Sequence, residues 1–186
     1  MQKFVEEELE QWRLHGVEAH FTGPRPWENT DSFLVDKAAA IVGANASEVA
    51  VMASLSVNLN LLLAAFYTPT QQRHKIMVEA KAFPSDRYAL ESQIRHHGLD
   101  PSSSLVVVHP REGEHTLRTA DIVALIKEHG DSLAVVALSG VQYYTGQFFN
   151  LPEITRAAHE VGSLVCFDLA HAVGNVVLKL HDWQAD

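Results

Sequence analysis

Asp168 closes the apolar run Leu164 to Phe167. A carboxylate placed there needs a partner, because burying an ionised group alone is costly. Two readings fit it: pairing with a backbone N–H or cation of the protein itself, or holding a cationic ligand nitrogen. His171 follows three residues later, where a histidine serves either packing or a ligand. Three other apolar runs are also followed directly by polar or aromatic groups. Ser54-Leu55-Ser56 comes after Glu48 to Ala53. A helix starting there either offers free N–H groups and a hydroxyl to a phosphate or carries a plain serine cap. Lys81 to Asp86 comes after Lys75 to Glu79, and its Phe83 is either core or a face on which a flat ring stacks. Ser139 to Gly146 comes after Leu133 to Leu138 and carries Tyr143-Tyr144, which are packing residues or, at a site face, a source of protons.

Other chemistries find little support. No G-x-G-x-x-G, Walker A, H-E-x-x-H or C-x-x-C pattern occurs. The adjacent His96 and His97 would point to different sides of a helix, and the other nine of the eleven histidines are scattered, so no metal site is expected. The single cysteine, Cys166, reads as a buried strand residue, and with no second thiol the chain has no internal disulfide, as suits a reducing compartment. A formal charge of −9 argues against a nucleic-acid or anionic-membrane surface. The first residues contain no apolar signal core, and the stretch Leu59 to Phe66 falls far short of the ~20 residues of a membrane span. A soluble cytoplasmic protein is expected.

The elements that must position these residues alternate. Helical spacing of Phe4, Val5, Leu9 and Trp12 predicts a first helix ending at Gly16, and a proline-containing loop from His20 through Trp27 follows. A second helix, capped by Thr30 or Asp31, carries Phe33, Leu34, Ala38, Ile41 and Val42 and closes at Gly43. Strands are expected at Glu48 to Ala53, Lys75 to Glu79, Ser104 to His109, Leu133 to Leu138 and Leu164 to Phe167. Helices are expected from Ser54 through Phe66, from Ser85 to His97, from Thr119 to Gly130 and after Pro152. Runs such as Leu105-Val106-Val107-Val108 are apolar throughout rather than alternating, the mark of strands buried on both faces of a parallel sheet covered by helices. In an α/β sheet of that kind, ligands bind beyond the carboxyl ends of the strands, where all four groups above fall.

Phe167-Asp168-Leu169-Ala170-His171-Ala172-Val173-Gly174-Asn175, followed by Leu180-His181-Asp182-Trp183, resembles kynureninase, a family of pyridoxal-phosphate (PLP) hydrolases. So do Glu79 to Asp86, Ser139-Gly140-Val141 running into Tyr144-Thr145-Gly146-Gln147, Leu55 to Leu59, and Arg25-Pro26-Trp27. The D-x-A-H element is shared with related fold-type-I PLP enzymes such as cysteine desulfurases; the F-P-S-D and Y-T-G-Q stretches are more specific. The resemblance covers essentially the whole chain. It implies an incomplete PLP-transferase-like large domain over residues 44–186, a mainly parallel sheet flanked by helices, preceded by helices and a substrate-side loop over residues 1–43.

Residue by residue, the resemblance gives Leu55 and Ser56 to the phosphate turn and Phe83 to the face over the pyridine ring, with Pro84, Ser85 and Asp86 completing that loop. Ser139 and His171 become cofactor contacts and Asp168 the partner of the pyridinium, which the cofactor needs as an electron sink. Tyr144 is given to proton transfer and phosphate binding, and His20 to the substrate. The implied reaction is hydrolysis of L-kynurenine or 3-hydroxy-L-kynurenine to L-alanine and an anthranilate, by a homodimer. The resemblance also places the cofactor-bearing lysine beyond Trp183, whereas the only lysine after Asp168 is Lys179. An inactive fragment that at most binds ligands or a full-length subunit is therefore the alternative expectation, with an exposed sheet edge prone to aggregation.

Overall fold

A computed structural model describes residues 1–186. The chain divides into two compact units, one of Met1–Ala40 with Asn45–Met52, the other of Ile41–Ala44 with Ala53–Asp186.

The first unit holds helix α1 (Gln2–His15) and most of α2 (Ser32–Val42), joined by short 3₁₀ turns at Gly16–His20 and Trp27–Asn29. Gly16, at φ 54°, ends α1 as its position in the sequence leads one to expect. The apolar spacing makes the helix but does not bury it: Phe4, Leu9 and Trp12 are all about 60% exposed, and α1 has no buried residue. Polar contacts tie the loop to it instead. Arg25 pairs with Glu7 (2.7 Å) and Glu8 (3.0 Å), and the Trp27 indole donates to Glu8 (2.8 Å).

The expected strand from Glu48 to Ala53 does not form. Ala46–Glu48 is a 3₁₀ turn capped by Asn45, and the residues after it join no ladder. Val49 is extended, at φ −120° and ψ 128°, but extension alone leaves the N–H and C=O groups unpaired. A strand is completed only by a neighbour, and none of the four strands pairs with it.

In the second unit α3 (Leu55–Phe66) leads into β1 (Lys75–Glu79), α4 (Pro84–His96), the short α5 (Pro101–Ser104) and β2 (Leu105–Val108). Then come α6 (Thr119–His129), β3 (Leu133–Ser139), α7 (Leu151–Glu160), β4 (Leu164–Asp168) and the single turn α8 (Leu180–Trp183). Of these only α5 and α8 lack an expected counterpart in the sequence pattern. The α/β class holds: the four strands lie in the order β2-β1-β3-β4 and every pairing is parallel.

Helices cover both faces. Ile76, Val78, Val135 and Ala137 pack against Leu59 and Leu63 of α3 and Leu90 and Ile94 of α4. Met77, Val136 and Leu138 pack on the other face against Ile122 and Ile126 of α6 and Leu151 and Ile154 of α7. Fully burying one such side chain contributes about 2–3 kcal/mol, which is why the central strand β3 is apolar for six consecutive residues. One irregularity keeps the faces in phase. The β1–β3 register shifts between Lys75↔Leu133 and Ile76↔Val135, leaving Ala134 as the extra residue.

The strand order fixes where a ligand belongs. From β1 the chain passes through α4 to β2 on one side, then through α6 to β3 on the other. The winding reverses between β1 and β3, so the carboxyl ends of those two strands flank the crevice of the sheet. No helix is long and apolar enough to cross a membrane.

Candidate functional site at the strand carboxyl ends

Glu79 ends β1, Ser139 ends β3 and Asp168 ends β4. The parallel register sets Ser139 opposite Asp168. The Ser139 hydroxyl donates to Glu79 Oε1 (2.5 Å), and the Ser139 N–H donates to the same oxygen (3.3 Å). Asp86, in the first turn of α4, completes the group, and its Oδ1 accepts from the Ser85 hydroxyl (3.3 Å). Pro84 opens that helix, where its missing N–H costs nothing. Glu79, Asp86, Ser139 and Asp168 line one small cavity of ≈ 20 Å³, closed beneath by Leu59 of α3, Val78 and Cys166.

Three carboxyl groups thus share one half-buried corner, and no lysine or arginine lines it. Burial holds the Glu79 carboxyl above the ordinary carboxylate range, with the Ser139 hydrogen bond opposing the shift. Asp86 is 9% exposed, and burial first, then the facing Asp168 carboxylate, pushes it up to about 7. Asp86 therefore keeps its proton to higher pH than an ordinary carboxyl unless a cation relieves the repulsion. Burial also pushes the Cys166 thiol up to about 11, with Asp168 and Asp86 adding to the effect. Asp168 itself is fixed by its own turn: Oδ1 accepts from the Ala170 N–H (2.8 Å), and its carbonyl accepts from the Gly140 N–H (2.7 Å). Gly140 has to be small, because a Cβ there would lie 2.7 Å from Leu169 Cδ2 and 3.0 Å from Ala172 Cβ.

Around this corner stand aromatic rings. Phe83, 42% exposed, meets Tyr143 edge-to-face at 5.1 Å, and the Tyr143 ring lies 6.5 Å from the exposed His171 at a tilt of 31°. The N-terminus of α3 approaches from another side. Ser54 is its N-cap, Leu55 and Ser56 are its exposed first residues, and Leu59, three residues after Ser56, reaches the cavity wall. Its first-turn N–H groups have no partner within the helix and can serve an anion. Immediately before the cap, Ala53 has φ 43°, a left-handed conformation costly for a residue with a Cβ.

The residues expected from the sequence therefore separate into three sets. Asp86, Ser139 and Asp168 come together, and Ser85 touches Asp86. Phe83 and His171 meet through Tyr143, while Leu55 and Ser56 sit at the start of α3. Tyr144 is not part of this group, and His20 belongs to the other compact unit. Tyr144 is 71% exposed, with Lys81 Nζ 5.3 Å from its ring centre, and lines a different cavity. His20 is exposed in the first unit and packs edge-on against Trp27 at 5.3 Å. Glu79 and Tyr143 are additions. Glu79 ends an apolar strand just as Asp168 does, so the same strand-end argument applies to it; nothing in the sequence separates Tyr143 from its neighbour Tyr144.

Comparison with known proteins bears on this arrangement. Residues 35–186 match the aminotransferase class-V family. Kynureninase of Mus musculus is 55% identical over 183 residues, 98% of this chain and 39% of that protein. Kynureninase of Dictyostelium discoideum is 55% identical over 96% of this chain and 40% of its own length, and that of Homo sapiens 52% identical over 98% and 39%. The chain thus spans about two-fifths of the length of these relatives. Among solved structures, a C-DES mutant with glycine covalently linked to its PLP cofactor superimposes on 98% of this chain and 47% of its own, with a TM-score of 0.75 at 14% identity. Ureidoglycine-glyoxylate aminotransferase from Bacillus subtilis covers 70% of this chain and 31% of its own, with a TM-score of 0.54 at 18% identity. At such identities the likeness shows the fold alone. Through its matched residues, the chain belongs to the aminotransferase class-V family and over nearly its whole length is similar to kynureninases.

Proposed function

We propose that this chain forms the pyridine-binding part of a kynureninase site, in a PLP-dependent protein that hydrolyses L-kynurenine or 3-hydroxy-L-kynurenine to L-alanine and an anthranilate. The observation that carries the reading is the carboxylate corner at the strand ends. Glu79, Asp86 and Asp168 gather three carboxyl groups with no lysine or arginine among them, beside an exposed aromatic face at Phe83. That donor set fits a flat ring bearing a protonated nitrogen. Bound there, PLP would supply an electron sink for charge developing on the substrate carbon.

Each residue has a task in this reading. Asp168, fixed by the Ala170 N–H, accepts the proton-bearing ring nitrogen and keeps it charged. A cation held at Asp168 would lower the Asp86 pKa by offsetting the Asp168 repulsion, while the larger contribution of burial remains. Ser139 holds Glu79 in place and Phe83 orients the ring by stacking. The first turn of α3, with Ser56, takes the phosphate. Tyr143 at Phe83 and His171 encloses the ring edge. His20 is assigned to the substrate and Tyr144 to proton transfer, as in the sequence resemblance. The protein acts in the cytoplasm as a homodimer.

The test is a product assay with PLP and 3-hydroxykynurenine or kynurenine on the intact protein, with an Asp168→Ala version as control. Release of alanine and the matching anthranilate, lost in the Asp168→Ala version, supports the reading. Amino-group transfer to a keto acid, or release of sulfur from cysteine with no alanine from kynurenine, would place the chain with other chemistries of its family.

A further inference from the structure

A second cavity, of ≈ 330 Å³, opens at the carboxyl ends of β1 and β2 and shares no residue with the one at Asp168. Its volume falls in the range of small-molecule sites. One wall is apolar, formed by Val107, Pro110, Leu117 and Phe149, of which Leu117 is 8% and Phe149 2% exposed. Lys81 and Arg87 also line it.

Side-chain amides fix the loop residues Lys81 and Leu117, while Val107 stands on β2 and Arg87 on α4. Gln142 donates to the Lys81 carbonyl (2.8 Å) and accepts from the Tyr144 and Thr145 N–H groups (2.7 and 2.9 Å). Gln147 accepts from the Leu117 N–H (2.8 Å) and donates to the Leu117 carbonyl (2.5 Å). The cavity is therefore preorganised. Lys81 stands out within it. Its backbone has φ 58°, a strained value for a residue with a side chain. Its ammonium has no carboxylate partner and lies against the Tyr144 ring at 5.3 Å. Arg87 is held through Nε by Glu91 (2.7 Å). The one acid on the wall, Glu114, is already paired with Arg118. In a chain of net charge −9 this leaves a local cationic spot beside an apolar wall.

We propose that this cavity binds a small aromatic carboxylate, with the ring against Leu117 and Phe149 and the carboxylate on Lys81 and Arg87. The cavity includes Tyr144, given above to proton transfer, but the binding measured here is read without PLP or turnover.

The test is calorimetric titration of benzoate into the full 186-residue chain without PLP, with circular dichroism confirming the fold. Saturable one-to-one binding is expected. Lys81→Met should weaken it roughly tenfold or more, the scale of one charge-assisted hydrogen bond, whereas Lys81→Arg should stay within about threefold because the cation is kept. Should Lys81→Met not fold, Arg87→Gln serves as the same test. Inorganic phosphate should bind more weakly than benzoate. No saturable binding by a folded chain, unchanged affinity in the neutral variants, or phosphate binding as tight as benzoate would overturn the proposal.

Discussion

Replacing Asp86 by Asn removes a titrating group from the carboxylate corner, and the effect on stability should depend on pH in a calculable way. Folding raises the Asp86 pKa from 3.8 to about 7. The folded chain therefore binds more protons than the unfolded one between those values, so this group lowers stability as pH rises from about 4 to about 7. At 1.36 kcal/mol per unit, the ionised group costs the folded state about 4 kcal/mol once pH exceeds its folded pKa, and about 3 kcal/mol more at pH 8 than at pH 5. Asn keeps the shape and cannot ionise. Urea unfolding of the parent and of Asp86→Asn at both pH values gives the double difference, in which the pH-independent cost of burying an amide and the titration of groups elsewhere cancel. The variant should gain about 3 kcal/mol on the parent between pH 5 and pH 8. Parallel pH profiles for the two proteins would show that Asp86 does not hold a proton against Asp168, and the electrostatic case for a cation site there would fail.

Two further outcomes follow from the same corner. Gly140→Ala should cost about 1–3 kcal/mol in chemical denaturation, the range for overpacking, because its Cβ would meet Leu169 and Ala172; it should also weaken PLP binding by moving the Asp168 turn, and a neutral effect on both would contradict the close approach. Cys166, half-buried and with its thiol pushed up to about 11, should react with a thiol reagent at mildly alkaline pH far more slowly in the folded chain than in denaturant, since the thiolate is the reacting species; equal rates would contradict that shift.

How much of this was legible beforehand depends on what each residue needs. β1, β2, β3 and β4 lie within a residue of their expected ends, because strands buried on both faces declare themselves as apolar runs that a helix period cannot explain. Asp168 was legible for the same reason: a carboxylate closing such a run has few places to be. The stretch from Glu48 to Ala53 looked equally strand-like, but pairing is a property of two segments, and its own residues say nothing about the second. The exposure of α1 was illegible in the same sense, since Phe4, Leu9 and Trp12 set the helix period whether or not anything packs on them. At the site, the tie between Asp86 and Asp168 crosses from α4 to β4 and depends on strand order, which no local pattern encodes. The choice between Tyr143 and Tyr144 is a matter of side-chain direction in a loop, where adjacent residues diverge without a fixed period.

The protonation state of a pyridine nitrogen held at Asp168 is the most direct measure of the whole account. PLP labelled with ¹⁵N at the ring nitrogen, bound to the protein at neutral pH, reports that state through its chemical shift. A shift in the protonated range for the parent, moving to the neutral range in Asp168→Asn, is the expected result. A neutral nitrogen in the parent, or a protonated one that survives the loss of the Asp168 charge, would contradict the assignment of this corner.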